Sequence, residues 1–586
     1  MTSPRLFGPR PATVGGTHFR LWAPAATSVE LIAARAVPMR ATGEGWHELI
    51  VADALPGMRY KYRIDGAIEV PDPASAFQPE DVLGPSEIID HRYDWRATAW
   101  TGRPWHEAAI LELHIGTFTP GGTFRSAIDE LDNVVECGFT AIELMPIADF
   151  SGRWNWGYDG VLWFAPDSAY GRPDDLKALI DAAHQRGLMV FLDVVYNHFG
   201  PEGNFLGRYA PTFFAPDVQT PWGSAIDYAV PEVRAFATES ALNWLEHYRF
   251  DGLRLDAVHA ITRRGEPSIL AALSSAVGEL AKRTGRHIHL VLENDDNEAA
   301  LLDPLTDPPH GKYRAQWNDD YHHAWHVLLT GETQGYYHDY AQEWLGHVTR
   351  ILSTGFAYQG QTSIFRGKPR GEPSDKLPPT AFVSFLQNHD QIGNRARGDR
   401  LETLAPAAAI EAALAVMLLA PMPPLMFMGE EWGETRPFPF FCDYKGELAQ
   451  AVREGRKREF PHEPAAGERA PPDPISELTY ESAVLDRTAL QRPMHVKRRD
   501  LVRRLLACRH GEIVPLLASL KTWSASATHE GRLLRAEWHL DSVTLHLIAN
   551  LSNERMRAPL KRGWPIWGGL QPEDVPPWSV YWTREG

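Results

Sequence analysis

Four apolar segments of this 586-residue sequence end in carboxylates or histidines, the residue types that carry proton transfer and nucleophilic attack. The segments finish at or near His198, Asp256, Glu293 and Asp390, in that order. Clustered acids raise one another's pKa and cost stability, so a folded chain keeps three of them together only where chemistry compensates. The pattern therefore predicts a polar active site that contains Asp256, Glu293 and Asp390.

Each of these segments is typical of a buried strand, and the strand period of two decides which side chains reach the site. Arg254 and Asp256 share one face, as do Val291 and Glu293. An isolated Arg-x-Asp can equally be a structural ion pair, but four polar endings in series favour a site. Apolar strands with polar ends are typical of the mouth of a parallel β/α barrel.

These segments resemble the four motif regions of the α-amylase family of glycoside hydrolases. The DxxxNH, GxRxD, catalytic Glu and NHD motifs of that family correspond, in order, to residues 193–198, 252–256, 293 and 388–390. The resemblance implies that Asp256 is the nucleophile and Glu293 the general acid/base. It also implies that Asp390 binds substrate hydroxyls and favours the transition state.

Cleavage of a glycosidic bond with retention requires these residue types. An ionised carboxylate attacks the anomeric carbon, and a protonated carboxyl gives its proton to the leaving oxygen. Arg254 beside Asp256 would keep the attacking group ionised. Glu293 lies on an apolar strand with Asp295 and Asp296 nearby, so we expect its pKa to be pushed upward, which suits an acid that works near neutral pH.

The resemblance also implies substrate-binding residues around the three acids. Tyr158 corresponds to an aromatic residue that stacks beneath the sugar being cleaved, and Asp193 to a residue that supports Arg254. His198 and His389 correspond to histidines that bind sugar hydroxyls. A lone histidine is more often structural, but the motif context favours the binding role for these two.

Segments between the shared motifs resemble the members of this family that release trehalose from maltooligosyltrehalose. The similar segments are residues 197–204, 255–261 (which includes His259), 292–298 and 316–331. The resemblance implies hydrolysis of the α-1,4 bond next to the terminal trehalose, with a maltooligosaccharide as the second product. It also implies a partner enzyme, the synthase that makes this substrate. Candidate contacts to the leaving trehalose are Trp317, Asn318, Asp319 and Asp320, although the last two can instead cap the following helix.

Two other functions share these features. A glycogen branching or debranching enzyme would have the same catalytic motifs and a similar N-terminal module, and release of free trehalose separates it from the first function. A non-catalytic glucan-binding scaffold is also compatible with a barrel, but the complete set of acids disfavours it, and hydrolysis of any α-glucan would exclude it.

The amino-acid composition limits the kinds of partner that the protein is expected to bind. Hydrophobic residues make up 44% and charged residues 23%, as in an ordinary soluble protein, and 58 basic against 75 acidic residues give a net charge of −17. This charge argues against nucleic acid or an anionic membrane as a partner, whereas it is compatible with a neutral sugar, and 20 tryptophans supply aromatic faces for sugar rings. The three cysteines lack metal-ligand spacing, so we expect no disulfide framework, metal ion or cofactor. The chain shows no signal-peptide or membrane-span pattern, which predicts a cytoplasmic protein.

The sequence predicts three domains. Residues 1–98 alternate in short segments between Pro and Gly turns, which predicts a β-sandwich that resembles the module ahead of the barrel in branching enzymes and isoamylases. Residues 99–513 predict a central (β/α)8 TIM barrel, and 514–586 a C-terminal antiparallel β-domain. The barrel strands are predicted near 109–116, 140–145, 188–195, 252–257, 288–293, 313–317, 381–387 and 424–428.

Residues 199–230 are short for a calcium-binding domain, although Asn197 matches a calcium ligand of some amylases. The charged run 453–458 and the Pro-rich stretch 459–477 are predicted as a solvated loop.

Overall fold

The computed structural model describes residues 6–13, 15–307, 310–460 and 470–586. The N-terminal region forms two antiparallel sheets, in the strand orders β1-β2-β6-β5 and β4-β3-β7-β8, with β9 paired to β7. Along β7, Tyr60, Tyr62 and Ile64 are buried between more exposed residues, which is the alternation expected when one face of a sheet packs on a core. The predicted β-sandwich is confirmed. Its strands are β1 Arg10–Pro11, β2 Thr17–Trp22, β3 Val29–Ile32, β4 Ala36–Pro38, β5 Arg40–Gly43, β6 Trp46–Val51, β7 Arg59–Ile64, β8 Ile68–Val70 and β9 Ser86–Glu87.

The central region carries an eight-stranded parallel sheet in the order β22-β19-β18-β17-β14-β11-β10-β23. Its two end strands meet through Ser384, which bridges to Pro424, and this contact closes the sheet into a barrel. Each predicted barrel strand contains an observed one. The strands of this region are β10 Ile110–Leu113, β11 Ala141–Leu144, β12 Ala148–Asp149, β13 Leu162–Pro166, β14 Met189–Val194, β15 Phe214–Thr220, β16 Gly223–Ile226, β17 Gly252–Leu255, β18 His289–Leu292, β19 Ala315–Trp317, β20 Thr362–Ser363, β21 Lys368–Pro369, β22 Phe382–Val383 and β23 Leu425–Phe427.

Helices surround the barrel and fill the loops at its mouth. The helix α12, for example, is apolar on nearly all sides because it packs between the helices α8 and α15 and the C-terminal strands β26 and β30. The helices are α1 Ile115–Phe118, α2 Phe124–Ile128, α3 Leu131–Cys137, α4 Pro173–Gln185, α5 Leu206–Tyr209, α6 Pro231–His247, α7 Ile269–Thr284, α8 Asp319–Thr330, α9 Trp344–Thr354, α10 His389–Gly393, α11 Leu401–Leu404, α12 Ala407–Leu419, α13 Gly446–Glu459, α14 Glu477–Ala483, α15 Pro493–Cys508 and α16 Val514–Leu517.

The C-terminal region forms an antiparallel sheet in the order β24-β25-β26-β30-β28, and β27 pairs with β29 beside it. It is fastened to the barrel by buried tryptophans, since Trp538 donates to the carbonyl of Leu352 and Trp582 to that of Ala415, each at 3.1 Å. The predicted C-terminal β-domain is confirmed. Its strands are β24 Trp523–Glu530, β25 Leu533–Leu540, β26 Val543–Asn550, β27 Met556–Arg557, β28 Trp564–Trp567, β29 Asp574–Val575 and β30 Ser579–Glu585.

The inside of the barrel has an apolar floor and a polar mouth. The floor is one packed cluster of inward-facing side chains: Trp105, Ala108, Ile110, Ala141, Met189, Phe191, Val291, Ala315, Trp317, Val383, Phe385 and Leu425. Further along the same strands, the inward positions change to Glu112, Glu143, Asp193 and Arg254, all almost completely buried. The period of two therefore stacks a polar layer on an apolar one and directs it toward the carboxyl ends of the strands.

The loop prediction for residues 453–458 was wrong. These residues belong to α13, whose basic last turn is favoured by the helix dipole, and Arg453 pairs with Asp473 at 3.0 Å. Part of the predicted loop 459–477, residues 461–469, lies outside the described residues.

The structure supplies three further observations. Cys137, Cys442 and Cys508 are free thiols. In the part of the chain that the structure describes, no three His, Cys, Asp or Glu side chains are grouped as ligands for a metal ion. None of the helices in the described ranges combines the length and the apolar character that a membrane crossing requires.

Candidate active site

Asp256 follows β17 at the mouth of the barrel, and hydrogen-bond donors hold both of its carboxylate oxygens. The Arg254 Nη1 atom lies 3.0 Å from its Oδ1, and the Asn197 amide donates to its Oδ2 at 2.6 Å and to its backbone carbonyl at 3.0 Å. Asn197 was considered in the sequence only as a calcium position. Its contact with Asp256 makes it a residue that orients the predicted nucleophile.

Arg254 joins three of the acids. Its Nη1 also lies 2.6 Å from Asp193 Oδ2, and its Nη2 lies 3.1 Å from Glu293 Oε2. Its guanidinium packs over the Trp317 ring at 4.1 Å from the ring centre, which adds a cation–π contact. Burial disfavours its charge, but the surrounding carboxylates raise the pKa of Arg254 well above its ordinary value, so it remains a cation.

Glu293 follows β18, the strand next to β17. Burial raises the pKa of Glu293 well above its ordinary value; Arg254 opposes this shift, and the negative charges of Asp256, Asp319 and Asp390 add to it. The predicted direction is confirmed, and burial on the apolar strand is its largest cause. Asp295 and Asp296, which were expected to raise this pKa, are instead engaged by Arg366 and Arg370.

One Glu293 oxygen has a fixed backbone partner. The Ala257 N–H donates to Glu293 Oε2 at 2.7 Å, and Ala257 adopts a left-handed backbone conformation with φ of 41°. This conformation turns the chain directly after Asp256, so that the residue after one acid binds the other. The carboxyls at the ends of β17 and β18 are thereby held in one arrangement.

Tyr158, Asp193 and His198 form a connected wall of the site. The Tyr158 hydroxyl donates to Asp193 Oδ2 at 2.5 Å, and His198 Nε2 donates to the Tyr158 carbonyl at 3.0 Å. Burial raises the pKa of Asp193 to about 6, with Arg254 opposing and Asp256 adding to the shift. The Tyr158 ring stacks on the His389 ring with 5.0 Å between centres.

Trp222 is a site residue that the sequence did not predict. It lies in the turn between β15 and β16, is 49% exposed, and stacks almost parallel on His198 with 4.5 Å between ring centres. The sequence held no signal for it beyond the large number of tryptophans. Its exposed face extends the aromatic wall out of the barrel toward solvent.

Asp390 is the most exposed of the three acids, with 38% of its side chain accessible. It belongs to the first turn of α10, which begins after Asn388; the Asn388 side chain caps the helix by accepting from the Gln391 N–H at 3.0 Å. Asp390 Oδ1 lies 3.5 Å from His389 Nε2 and accepts from the Asn394 amide at 3.3 Å. Its other oxygen has no side-chain donor among the described residues and remains available to a substrate hydroxyl.

The segment 317–320 divides between the barrel interior and the site. Trp317 is enclosed beneath Arg254, and the buried Asn318 amide donates to the Gly355 carbonyl at 2.9 Å. Asp320 is fully buried and accepts from several donors, namely the Arg370 guanidinium, the Tyr340 hydroxyl, the Asn297 amide and the backbone N–H groups of Ala357 and Tyr358. Trp317, Asn318 and Asp320 are all enclosed by protein, so their predicted contact with substrate stays a prediction.

Asp319 is the member of this segment that is accessible from the site. It is partly exposed, and burial raises its pKa to about 7, with Arg370 opposing the shift and Asp390 and Asp320 adding to it. The helix-cap alternative fails for Asp320, whose backbone partners lie outside α8. His259, also predicted to bind substrate, is exposed at the rim and accepts at Nδ1 from the Asp295 N–H at 3.4 Å.

The chain matches two family models. Residues 87–210 match the alpha amylase catalytic domain, and residues 6–76 match carbohydrate-binding module 48, the isoamylase N-terminal domain. Its curated relatives include a malto-oligosyltrehalose trehalohydrolase from Deinococcus radiodurans, 41% identical over 89% of this chain and 85% of the relative. The chain belongs to the malto-oligosyltrehalose trehalohydrolase family.

Other comparisons agree with this family. A malto-oligosyltrehalose trehalohydrolase from Saccharolobus solfataricus is 40% identical over 80% of this chain and 82% of the relative. A crystal structure of a Salmonella typhimurium protein, described as an alpha amylase, superposes with a TM-score of 0.94 at 42% identity and covers 99% of this chain and 100% of its own. The fold is therefore that of the alpha amylases, and the chain is a glycoside hydrolase.

Proposed function

We propose that this protein cleaves the α-1,4-glucosidic bond next to the terminal trehalose of maltooligosyltrehalose and releases trehalose and a maltooligosaccharide. The observation that carries the proposal is the contrast between two neighbouring acids. Asp256 faces a guanidinium and an amide, which suit a carboxylate, whereas Glu293 is buried with a raised pKa, which suits a proton donor.

In the first step, Asp256 attacks the anomeric carbon while the bond from that carbon to the leaving oxygen breaks. Glu293 gives its proton to the leaving oxygen, and the trehalose part departs as a neutral sugar. In the second step, Glu293 as a carboxylate takes a proton from water, the water oxygen bonds to the anomeric carbon, and Asp256 is released. Two displacements return the α configuration.

The surrounding residues hold the sugar that is cleaved. Asp390, with one oxygen free of side-chain donors, and the neighbouring His389 are placed to bind its hydroxyls, and the Tyr158 ring supplies an apolar face for stacking. Asp193 fixes both Tyr158 and Arg254 and therefore acts through them. His198, backed by Trp222, continues this wall.

On the leaving side we assign recognition of trehalose to Asp319. It is the accessible acid of the segment 317–320, and it is close enough to Glu293 and Asp390 to shift the pKa of Glu293 and to be shifted by Asp390. Asp320, Arg370 and Tyr340 hold the start of α8 and thereby position Asp319. A site built to bind the hydroxyls of one sugar pair discriminates against a pair that leaves its polar groups unpaired.

Product analysis tests the proposal. The enzyme is incubated with maltotriosyltrehalose and, separately, with maltotetraose, and the products are separated by chromatography. Free trehalose and maltotriose from the first substrate, with slower cleavage of the second, are expected. New α-1,6 branches, or cleavage of α-1,6 bonds alone, would favour a branching or debranching enzyme, and no cleavage of either substrate would favour a binding scaffold.

We further propose that the protein acts in the cytoplasm, after a synthase that converts the reducing end of a maltooligosaccharide into a trehalose unit. The three unpaired thiols are compatible with a reducing compartment. The reaction sequence follows from the substrate, because a terminal α,α-1,1 linkage must be formed before this enzyme can release it.

A further inference from the structure

A single buried carboxylate, Glu112, binds both the backbone and the ring of His389. Glu112 lies on β10 with 2% of its side chain exposed. Its Oε2 accepts the His389 backbone N–H at 3.1 Å, and its Oε1 contacts His389 Nδ1. The first residue of α10 is thereby fastened to a strand on the inside of the barrel, and the imidazole can no longer rotate freely.

The other ring nitrogen of His389, Nε2, lies on the side of Asp390. His389 Nε2 is buried, has no hydrogen-bond partner among the described residues and lies 3.5 Å from Asp390 Oδ1. Stacking against Tyr158 and edge contact with Trp156 hold the plane of the ring. The charged and titratable side chains near His389 from the packed elements are Glu112, His114, Glu143, Arg254, Tyr158 and Asp390.

We propose that Glu112 is a positioning residue that holds His389 as an imidazolium, with Nδ1–H bound to Glu112 and Nε2–H left beside Asp390 as a donor. This inference rests on the proposed function, in which that donor binds a hydroxyl of the cleaved sugar while Asp390 accepts from another. A neutral histidine bound at Nδ1–H would present a bare Nε2 acceptor instead.

The electrostatic surroundings agree with this geometry. Burial opposes a charge on His389, but Glu112 and Asp390 raise the pKa of its imidazole to about 9. His114 has a burial-lowered pKa of about 4, so it is neutral near pH 7 and does not compete for Glu112. Arg254 opposes the charge on His389, but the positive charge of Arg254 is balanced by the carboxylates that it contacts.

Glu143 provides a matched control within the same layer. It is paired directly with Glu112 in the register of β10 and β11, and it is equally buried. Neither of its carboxyl oxygens has a hydrogen-bond partner among the described residues, and burial, with Glu112 and Asp193 nearby, raises its pKa well above the ordinary value. Burial therefore favours the uncharged form of Glu143, and we expect Gln at this position to change little.

Histidine-specific NMR tests the proposal. The protein is labelled with ¹³C in its histidine rings, and the His389 signal is identified by its loss in His389→Gln. In the wild type and in Glu143→Gln, the His389 signal should be that of an imidazolium from pH 6 to 8. In Glu112→Gln it should be neutral at pH 7. A neutral ring in the wild type, or an unchanged titration in Glu112→Gln, would overturn the proposal.

Kinetics on maltotriosyltrehalose give the functional arm. Glu112→Gln should lower kcat/KM by about tenfold or more, the size expected for a lost hydrogen bond to a charged group, while Glu143→Gln stays within about twofold. Equal losses in both variants would assign the effect to the integrity of the layer and reject the ion pair. If Glu112→Gln fails to fold, Glu112→Asp takes its place in the NMR experiment. The shorter side chain keeps the carboxylate but moves it away from His389 Nδ1, so the titration midpoint of His389 should fall. An unchanged midpoint would overturn the proposal. The NMR arm uses no substrate, so it separates this inference from a failure of the proposed function.

Discussion

Arg254 and Glu293 lie in direct contact, with 3.1 Å between Nη2 and Oε2, and yet the pKa of Glu293 is raised. A cation at this distance lowers a carboxyl pKa, so burial and three neighbouring acids must outweigh it. Arg254 divides its charge among Asp193, Asp256 and Glu293, and only part of it acts on the acid. The arrangement serves a reaction in which Glu293 alternates between acid and base.

Loss of Glu293 should be felt most with poor leaving groups. In Glu293→Gln, turnover of maltotriosyltrehalose should fall by about 10²–10⁴, the contribution of general acid catalysis. An α-glucosyl fluoride needs no proton on its leaving group, so its first step should be spared. Steady-state and burst kinetics on both substrates measure this contrast. Equal losses on the two substrates would remove Glu293 from the acid role.

The pH dependence of kcat/KM should change when the charge of Asp319 is removed. Glu293 must be protonated for the first step, so activity is retained below its raised pKa and lost as pH rises through it. Asp319, with a pKa of about 7, is ionised in that alkaline range and adds to the shift of Glu293. In Asp319→Asn, the alkaline limb of kcat/KM should therefore move to lower pH.

A control isolates the electrostatic effect in this experiment. Asp500, which lies on α15 and pairs with Arg503 and Arg504, is replaced in the same way by Asn, which removes one negative charge outside the site. The alkaline limb of kcat/KM in that variant should lie at the same pH as in the wild type, because surface charges beyond about 10 Å are screened at ordinary ionic strength. The same shift in both variants would point to net charge and not to Asp319.

Asp256 is expected to form the covalent bond. Asp256→Asn keeps the shape of the side chain and should abolish turnover without a large change in melting temperature, because its neighbours Asn197 and Arg254 keep their other contacts. A fluorinated glucosyl substrate should label Asp256 in the wild type, as found by peptide mass spectrometry. Proton NMR of the first product should show the α anomer, which two displacements require. A β product would mean a single inverting displacement.

The sequence predicted the features that recur along the chain, such as the barrel strands, and those that depend only on neighbouring residues, such as which side chains share a strand face. Eight apolar segments gave the barrel, and the strand period of two placed Arg254 and Asp256 on one face. Glu112 and Glu143 were not predicted, because one acid inside Ile-Leu-Glu-Leu or Ala-Ile-Glu-Leu carries no sign of what it meets across the barrel. Its partner, His389, is 277 residues away from Glu112.

The different burial of the residues in the segment 317–320 was not predicted, for a related reason. These residues are adjacent in sequence, but the strand ends at Trp317 and the helix begins at Asp319, so successive side chains point in different directions. Arg370 and Tyr340, which occupy Asp320, come from elements 50 and 20 residues further along. How deeply a side chain is buried in the barrel mouth depends on such distant partners, so the position of a residue in the sequence does not predict it.

Asp320 should matter for stability more than for chemistry. Asp320→Asn breaks a fully buried pair with Arg370 and should lower the free energy of unfolding by about 3–5 kcal/mol. Tyr340→Phe removes one hydroxyl from the same network and should cost about 1 kcal/mol. Urea unfolding curves measure both. A stability loss smaller in Asp320→Asn than in Tyr340→Phe would contradict the central position of Asp320 in this network.

Asp319 should decide between trehalose and glucose units on the leaving side. It is accessible, while Trp317, Asn318 and Asp320 are enclosed. If it accepts hydroxyls of the leaving trehalose in the transition state, Asp319→Ala should lower kcat/KM for maltotriosyltrehalose more than for maltopentaose. A hydrogen bond to a charged group contributes about 1.5–3 kcal/mol, so the loss of selectivity should be about tenfold or more, with an unchanged melting temperature. Asn318→Ala serves as the control, because its amide binds the Gly355 carbonyl and its loss should reduce stability and affect both substrates alike. Parallel losses on the two substrates in Asp319→Ala would leave recognition of trehalose to other residues.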